Sequence, residues 1–269
     1  MSVPPTKTKP VTVPDFLSAR SRGVKLTVLT GYDYTFARLL DEAGVDAILI
    51  GDSLGMVVQG HANALPVTLD DVIYHTRAVV RGTTRAMVIA DLPFMTFQLG
   101  PTQALESAGR VVKEGGAHAV KLEGGERTAD AIAAVVRADV PVIGHVGLTP
   151  QSVHRFGGFK VQRQQEQLLA DARAVEQAGA FAIVVECVPT ELAAKITASV
   201  SIPTIGIGAG PNCDGQVLVI QDMLGMYGDL RPKFVKRYAE LGVQIKQAVE
   251  TYCREVREGR FPDAGHSFQ

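Results

Sequence analysis

The chain has 269 residues, of which 46% are hydrophobic and 20% are charged, and its formal net charge is −1. This length fits two ordinary domains or one α/β barrel, a fold that commonly needs about 250 residues. The balanced charge argues against a nucleic acid or an anionic membrane as the main partner, and no apolar run approaches the ~18 residues of a membrane span.

The N-terminal segment and the cysteines indicate the compartment. Residues 1–14 are rich in proline and have little apolar pattern, so we expect a flexible N-terminal arm there. Its lysines are not followed by a continuous apolar stretch, which argues against a secretory signal. The cysteines Cys187, Cys213 and Cys253 form no CxxC pair. We therefore predict a reduced, cytoplasmic protein without a disulfide framework or a thiolate zinc site.

Eight short apolar runs follow one another along the chain. They are nearly continuous rather than alternating, which is typical of strands in a parallel sheet covered on both faces. We predict strands at residues 25–30, 46–51, 86–90, 118–122, 140–145, 181–185, 203–207 and 217–220.

Amphipathic segments with helix-capping signals separate these runs. Thr68 and Asp71 form a capping box that starts a helix running to Val80. Further helices are predicted at residues 34–43, 101–114, 164–178 and from 189 onward, several of them ending at a glycine. The alternation of strand and helix implies parallel βαβ units.

Eight strand candidates fit a closed (β/α)8 barrel, which we predict as a single domain over residues 15–269. A doubly wound open sheet gives similar local signals and remains the alternative. The short spacing between the seventh and eighth runs fits a complete unit poorly. Residues 232–259 are predicted to form a long helix with one glycine, Gly242. This C-terminal helical extension exceeds what a barrel needs, and we expect it to pack on a neighbouring subunit.

The residues at the carboxyl ends of the strands are the candidates for chemistry, because substrates of parallel barrels bind there. These residues are Asp33, Asp52, Ser53, Asp91, Lys121, Glu123, His145 and Glu186. One acidic residue after a strand is usually a helix cap or turn former, but several together repel one another and need a compensating cation. Their oxygen ligands suit Mg²⁺. The lack of an HExxH spacing disfavours a zinc hydrolase.

Lys121 and Glu123 are two residues apart in a strand, so their side chains point to the same side of the barrel wall. A buried lysine needs a partner. Lys121 therefore either balances the carboxylates, as in a core ion pair, or binds an anionic substrate.

Other polar features have simpler interpretations. The glycine-rich loop at 206–210 is a weak phosphate signal, and we interpret it as close backbone packing around a ligand. His61, His75 and His154 are expected at polar core or helix-surface positions, and Cys187 as a small buried hydrophobic residue.

Long motifs then identify a resemblance that spans nearly the whole chain. The chain resembles the ketopantoate hydroxymethyltransferase family in the segments ILIGDSLGMVVQGHANALPVTLDDVIYHTRAVVRG, IADLPFMTF, VKLEGGE, GHVGLTPQSVHRFGGFKVQ, ECVP and PTIGIGAG followed by CDGQVLVIQDMLG. The resemblance implies a TIM barrel of the phosphoenolpyruvate mutase and isocitrate lyase group. It also implies a large homo-oligomer, a decamer built as a pentamer of dimers.

The resemblance also implies roles for the rim residues. Asp52, Asp91 and Glu123 match the metal-associated positions, with one Mg²⁺ per subunit and Zn²⁺ or Co²⁺ able to substitute. The positions that bind the 2-oxo acid are matched by Asp52, Ser53, Asp91 and Lys121, with His145 near the reacting centre. Glu186 matches the catalytic base.

The activity implied by the resemblance is hydroxymethyl transfer from 5,10-methylenetetrahydrofolate to 3-methyl-2-oxobutanoate. The products would be 2-dehydropantoate (ketopantoate) and tetrahydrofolate, in pantothenate and coenzyme A biosynthesis, through a metal-stabilised enolate. One alternative is a lyase or mutase of the related barrel group, whose KKCGH-like loop this sequence lacks. Another is an inactive barrel that serves as a ligand-binding or scaffold protein.

Overall fold

We describe a computed structural model of the chain over residues 9–228 and 232–268. The chain divides into two compact units, with the boundary between Val219 and Ile220. The first unit contains the sheet, and the second contains the predicted C-terminal extension.

The first unit is a closed barrel of eight parallel strands arranged in sequence order, with the last strand paired to the first. This topology confirms the predicted barrel and excludes the doubly wound open sheet. The strands are β1 (Leu26–Thr30), β2 (Ala47–Ile50), β3 (Met87–Asp91), β4 (Ala119–Glu123), β5 (Val142–Gly147), β6 (Ala182–Glu186), β7 (Thr204–Ile207) and β8 (Gly215–Leu218).

Helices connect most of the strands, as predicted. They are α1 (Val13–Leu17), α2 (Tyr34–Ala43), α3 (Leu54–Val57), α4 (Leu69–Gly82), α5 (Pro101–Arg110), α6 (Ala129–Arg137), α7 (Val153–Phe156), α8 (Gln165–Gln177) and α9 (Thr190–Ser199). The predicted capping box of α4 is present, since the backbone N–H of Asp71 donates to Thr68 Oγ1 at 3.1 Å and the backbone N–H of Thr68 donates to Asp71 Oδ2 at 2.9 Å. A π-helical turn, Val111–Gly115, continues α5 up to Gly116, whose positive φ of 82° ends the helical segment.

The connection between β7 and β8 contains no helix, and all of its residues are described. Asp214 holds this short connection, because its Oδ2 accepts from the backbone N–H of Thr204 at 2.9 Å. The predicted eighth strand was placed two residues too late. The observed strand begins with Gly215 and Gln216, which have no apolar side chain. Ile220, which the prediction included in the strand, belongs to the following helix.

α1 closes the N-terminal end of the barrel. Phe16 is fully buried in the core cluster with the first residues of several strands, and its ring meets Phe181 edge to face at 5.7 Å. α1 begins inside the segment predicted as an arm, and Val11 N–H already donates to the carbonyl of Arg85 at 2.7 Å. Residues 1–8 of that predicted arm lie outside the described residues.

The second unit contains α10 (Ile220–Met223), α11 (Leu241–Arg257) and a 3₁₀ turn, Ala264–His266. The prediction of one helix over residues 232–259 is wrong for its first third. There the backbone N–H groups of Tyr238 and Leu241 donate to the carbonyls of Met223 and Leu224. They therefore do not form the hydrogen bonds that a helix through these residues would need.

Within the described ranges, no helix has both the length and the apolar character that crossing a membrane requires.

Candidate active site

The carboxyl ends of five neighbouring strands bring most of the predicted site residues together. Asp91, Glu123 and Glu186 are the last residues of β3, β4 and β6, His145 lies near the end of β5, and Asp52 and Ser53 directly follow β2. Asp33 has a different role: it is exposed and caps α2, accepting from Phe36 N–H at 2.9 Å. The structure therefore separates one helix cap from a rim of buried polar groups.

Lys121 lies at the centre of this rim and is only 4% exposed. Its Nζ is 3.1 Å from Asp91 Oδ1, 3.8 Å from Glu123 Oε1 and 3.1 Å from His145 Nδ1. Lys121 and Glu123 thus point to the same side of β4, as predicted. Burial alone would lower the pKa of Lys121, but the surrounding carboxylates raise it above its usual value, so the ammonium stays charged.

Asp52 and Asp91 are held against each other. The backbone N–H of Asp52 donates to Asp91 Oδ2 at 3.0 Å, and both side chains are at most 3% exposed. Burial raises the pKa of Asp52 well above its ordinary value, and the charges of Glu123 and Asp91 raise it further. Burial also raises the pKa of Asp91, against the opposing effect of Lys121. This pair therefore favours a nearby positive charge.

His145 connects this cluster to Glu186. Its Nδ1 lies 3.4 Å from Glu123 Oε1, and its Nε2 lies 3.2 Å from Glu186 Oε2. Burial and the Lys121 charge would lower the pKa of His145, but Glu123 and Glu186 together raise it to about 9. The Glu186 side chain is 15% exposed, whereas the other members of the cluster are almost completely buried. Glu186 is thus the member that an incoming molecule can reach.

Tyr32 is a site residue that the sequence analysis missed. Its hydroxyl is 2.9 Å from Ser53 Oγ, its side chain is 3% exposed, and its carbonyl lies 2.6 Å from His75 Nδ1. The signal was its position just past β1, inside the TGYD sequence. His75, predicted as a polar core or helix-surface residue, contacts the backbone that carries Tyr32.

Gln151 is the second residue that was missed. It is 7% exposed, its Nε2 donates to Asp52 Oδ2 at 2.9 Å, and its backbone N–H donates to Glu123 Oε2 at 3.0 Å. Gln151 lies in the loop after β5, within the GHVGLTPQS segment, but not directly at a strand end. It therefore reaches two carboxylates of the rim from outside the strands.

A lateral cavity of about 370 Å³ reaches the rim. Glu123 and Gln151 belong to its wall, together with the aromatic rings of Phe94 and Phe97 and the guanidinium of Arg127. Arg127 is exposed and donates through Nη2 to Ser152 Oγ at 2.9 Å. A small polar molecule with an apolar part would fit the composition of these walls.

The chemistry of the donor set fits a divalent cation. Among the residues that the structure describes, the four carboxylates of Asp52, Asp91, Glu123 and Glu186 outnumber the two basic side chains within 4 Å of the group, Lys121 and His145. Two buried carboxylate atoms, Asp91 Oδ1 and Glu123 Oε1, lack a partner in hydrogen-bond geometry. In the described part of the chain, no three His, Cys, Asp or Glu side chains form a ready-made ligand set. Mg²⁺ usually takes one or two carboxylates of a protein and keeps waters or substrate oxygens.

Cys187 and the glycine loop have structural explanations. Burial, with the charge of Glu186, raises the pKa of the Cys187 thiol to about 12, so this cysteine is not a thiolate nucleophile at neutral pH. A Cβ atom at Gly210 would lie 2.5 Å from Thr190 Oγ1. Gly210 is therefore packed against the protein itself.

Comparisons with known proteins identify the family of this chain. A family model described as ketopantoate hydroxymethyltransferase matches residues 10–264. A 3-methyl-2-oxobutanoate hydroxymethyltransferase of Geobacter metallireducens is 57% identical over 96% of this chain and 98% of its own length. One from Clostridium botulinum is 54% identical over 96% of this chain and 95% of its own length.

Solved structures are similar to this chain in fold. A 2,3-dimethylmalate lyase of the PEP mutase/isocitrate lyase superfamily superposes with a TM-score of 0.62 at 18% identity, over 95% of this chain and 88% of that one. Phosphonopyruvate hydrolase in complex with oxalate and Mg²⁺ gives 0.60 at 16% identity, over 94% and 92%. At these identities the likeness shows the fold, which is the barrel that the sequence predicted.

Proposed function

Because the chain belongs to the ketopantoate hydroxymethyltransferase family, we propose that it transfers a hydroxymethyl group from 5,10-methylenetetrahydrofolate to 3-methyl-2-oxobutanoate. The products are 2-dehydropantoate and tetrahydrofolate, and the reaction belongs to pantothenate and coenzyme A biosynthesis. The observation that carries this proposal is the partly exposed carboxylate of Glu186 beside a buried group of carboxylates around Lys121. Such a site can remove a proton next to a carbonyl group and compensate the charge that develops.

Asp52 and Asp91, with Glu123 close by, would hold one Mg²⁺ per subunit. When bound, this ion supplies Lewis acidity toward the keto oxygen and the carboxylate of the substrate. Zn²⁺ and Co²⁺ accept oxygen ligands as well and are proposed as substitutes. The excess of carboxylates over cations supports this assignment, because a divalent ion would neutralise it.

Ser53 and Lys121 would bind the 2-oxo acid together with the two aspartates. Ser53 Oγ is held by Tyr32, and Lys121 keeps its charge among the carboxylates. The ammonium of Lys121 therefore lies where negative charge develops on the substrate as the proton leaves. Because the group is buried, this electrostatic stabilisation is stronger than it would be in water.

Glu186 is the proposed general base, and His145 holds it. The C3 proton of 3-methyl-2-oxobutanoate passes to the Glu186 carboxylate, and the electron pair of the C–H bond becomes the enolate. His145, whose Nε2 faces Glu186 Oε2, orients that carboxylate. Glu186 is also the most exposed carboxylate of the rim, which favours it over the others for this role.

The enolate carbon then attacks the methylene carbon of the folate and forms the new C–C bond. Two C–N bonds of the folate break as the methylene carbon gains its bonds to the enolate carbon and to the oxygen of one water. One folate nitrogen takes the second proton of that water, and the other takes the C3 proton held by Glu186. The cavity beside Glu123 is lined by Phe94, Phe97 and Arg127, which would offer aromatic and cationic groups to the folate.

Proton NMR of 3-methyl-2-oxobutanoate in D₂O tests this function. With the protein and Mg²⁺ present, the C3 proton signal should disappear, and without a divalent ion it should persist. Addition of 5,10-methylenetetrahydrofolate should then produce 2-dehydropantoate.

Three outcomes separate the candidate functions. Exchange followed by product formation supports the transferase. Exchange without product, together with cleavage of a related acid, supports a lyase or mutase of the same barrel group. If Mg²⁺, Zn²⁺ and Co²⁺ all fail to promote exchange, even with folate present, the barrel binds ligands without turning them over, and the proposal is overturned.

We further propose that the enzyme is cytoplasmic and works as a homo-oligomer, a homodecamer. Every residue of α11 is described and none of them is buried, although Val243, Val249 and Tyr252 are apolar and at least half exposed. An amphipathic helix of this kind normally buries its apolar side, which supports packing against a second copy of the chain. Light scattering of the purified protein measures the assembly directly.

A further inference from the structure

We infer that Gln151 is a positioning residue that orients the carboxylates of Asp52 and Glu123 for the divalent cation. The inference rests on the proposed function, since it concerns the same rim. One residue from the loop after β5 contacts carboxylates that extend from the ends of two other strands, β2 and β4. With 7% of its surface exposed, Gln151 makes these contacts where water competes little.

The amide of Gln151 can bind in only one orientation. Its Nε2 donates both to Asp52 Oδ2 at 2.9 Å and to the carbonyl of Leu92 at 3.0 Å. Both partners are acceptors, so only the NH₂ end of the amide can face them. On the opposite side, Gln151 Oε1 accepts from Gln98 Nε2 at 3.0 Å. Each hydrogen-bonding group of the amide thus has a matching partner.

A second glutamine fixes the first. Gln98 Oε1 accepts from the backbone N–H of Phe97 at 3.3 Å, which directs Gln98 Nε2 toward Gln151. The chain of donors therefore runs from the loop after β3, through Gln98 and Gln151, to Asp52. Because every link is set by a backbone group or a second amide, the position of the Asp52 carboxylate is determined before any ion binds.

The backbone of Gln151 acts on the other carboxylate. Its N–H donates to Glu123 Oε2 at 3.0 Å, while Glu123 Oε1 lacks a hydrogen-bond partner in the described residues. One oxygen of this carboxylate is therefore fixed by the backbone. The other lies 3.4 Å from His145 Nδ1 and 3.8 Å from Lys121 Nζ without a hydrogen bond, and it can accept one from a water of the ion. Residues that orient metal ligands in this way commonly change metal affinity by about 10–100-fold when they are replaced.

The test is the affinity for Mn²⁺, measured by electron paramagnetic resonance of free and bound ion, in purified Gln151→Met. Methionine keeps the length of the side chain and removes its donors, so the dissociation constant should rise about 10–100-fold. At saturating Mg²⁺, the rate of C3 proton exchange should recover toward that of the unaltered enzyme, because Glu186 is untouched. Gln162→Met is the matched control: Gln162 is also 7% exposed, but its Nε2 donates to the Lys160 carbonyl. Its Mn²⁺ affinity should not change.

A folded Gln151→Met protein with unchanged Mn²⁺ affinity overturns the inference, whatever its thermal stability. If Gln151→Met does not fold, Gln98→Met replaces it. This change releases only the acceptor side of the Gln151 amide, and a weakened Mn²⁺ affinity supports the inference, whereas an unchanged affinity contradicts it. Failure of the unaltered enzyme to bind Mn²⁺ or to exchange the C3 proton contradicts the proposed function instead, and the two failures are thereby distinguished.

Discussion

His145 Nε2 lies 3.2 Å from Glu186 Oε2, and the opposite side of the same imidazole faces Lys121 and Glu123. The partly exposed carboxylate and the buried cluster are therefore joined through one ring. Burial and the Lys121 charge would lower the pKa of His145, whereas Glu123 and Glu186 raise it to about 9. The groups proposed for proton removal and for charge compensation therefore lie on opposite sides of this ring, within contact distance of it.

Replacement of Glu186 by glutamine should abolish proton exchange while leaving binding of the keto acid intact. The amide has nearly the same shape as the carboxylate but cannot accept the C3 proton. Loss of a general base lowers rates by about 10²–10⁴-fold, which NMR in D₂O resolves. Glu191→Gln is the control, because Glu191 is exposed at the start of α9 and lies outside the rim. Near-normal exchange in Glu186→Gln would remove Glu186 from the role of base.

In the Lys121→Met variant, the thermal stability of the protein should depend more strongly on a bound divalent ion. Without the ammonium, the carboxylates of Asp91, Glu123 and Asp52 lose the cation that compensates them, and breaking a buried ion pair on one side costs about 3–5 kcal/mol. Added Mg²⁺ should restore more of the melting temperature in this variant than in the unaltered protein. Calorimetry with and without Mg²⁺ measures this difference.

The exposed Lys113 supplies the comparison for that experiment. Lys113→Met removes a lysine of the same size from the surface, so its melting temperature should respond to Mg²⁺ as the unaltered protein does. An equal response of both variants would show that Lys121 does not compensate the carboxylates.

The barrel could be predicted from the sequence because its strands are buried on both faces. β2, β3 and β4 are buried at every residue, and burial of this kind leaves a continuous apolar run in the sequence. β8 was misplaced because Gly215 and Gln216 have no apolar side chain to reveal the strand. The start of α11 could not be predicted. Backbone hydrogen bonds to Met223 and Leu224 prevent the predicted helix from beginning earlier, and a sequence pattern does not show such bonds.

The polar rim could be predicted only where its residues stand at strand ends. Asp91, Glu123 and Glu186 are the last residues of their strands, so the rule that substrates bind at the carboxyl ends of barrel strands identified them. Gln151 and Tyr32 act from loops, and their contacts depend on how those loops fold back. The same rule also selected Asp33, whose carboxylate caps a helix, because sequence position does not distinguish a cap from a site residue.

Gly147→Ala should damage both stability and activity. Gly147 has a φ of 96°, and a Cβ atom there would lie 2.3 Å from the carbonyl oxygen of Glu186. The strands that carry His145 and Glu186 would have to separate, so we expect a loss of at least ~2 kcal/mol in unfolding free energy. Urea titration measures that loss, and the exchange assay should show reduced turnover in the folded fraction.

Gly109→Ala, in the same unit, should have the opposite effect on stability. Gly109 lies in α5, and a Cβ atom added there meets nothing within 4 Å. Alanine in a helix is favoured over glycine by about 0.5–1 kcal/mol, so this variant should be more stable with unchanged exchange. Equal destabilisation of both variants would contradict the steric explanation for Gly147.

Asp214→Asn should destabilise the barrel in a pH-dependent way. Asp214 accepts from Arg20 Nε at 3.0 Å and Nη2 at 2.6 Å, and it accepts from the Thr204 N–H at 2.9 Å. Burial would raise the pKa of Asp214, but the bonds from Arg20 and Thr204 lower it below its usual value. The stabilisation is therefore complete above the unfolded pKa of about 3.9 and is lost as the pH falls through the lower folded value.

At pH 7 the Asp214→Asn variant should lose about 1–3 kcal/mol of unfolding free energy, because the amide leaves buried donors of Arg20 and Thr204 unpaired. The difference from the unaltered protein should begin to shrink below pH ~4, where Asp214 takes up a proton in the unfolded chain, and should continue to shrink until the folded carboxyl is protonated as well. Asp70→Asn is the control: its pair with Arg110 is exposed, and such surface pairs contribute only about 0–1 kcal/mol. Urea titrations at pH 7 and pH 3 measure both variants. A loss that stays the same at both pH values would show that Asp214 acts through packing and not through its charge.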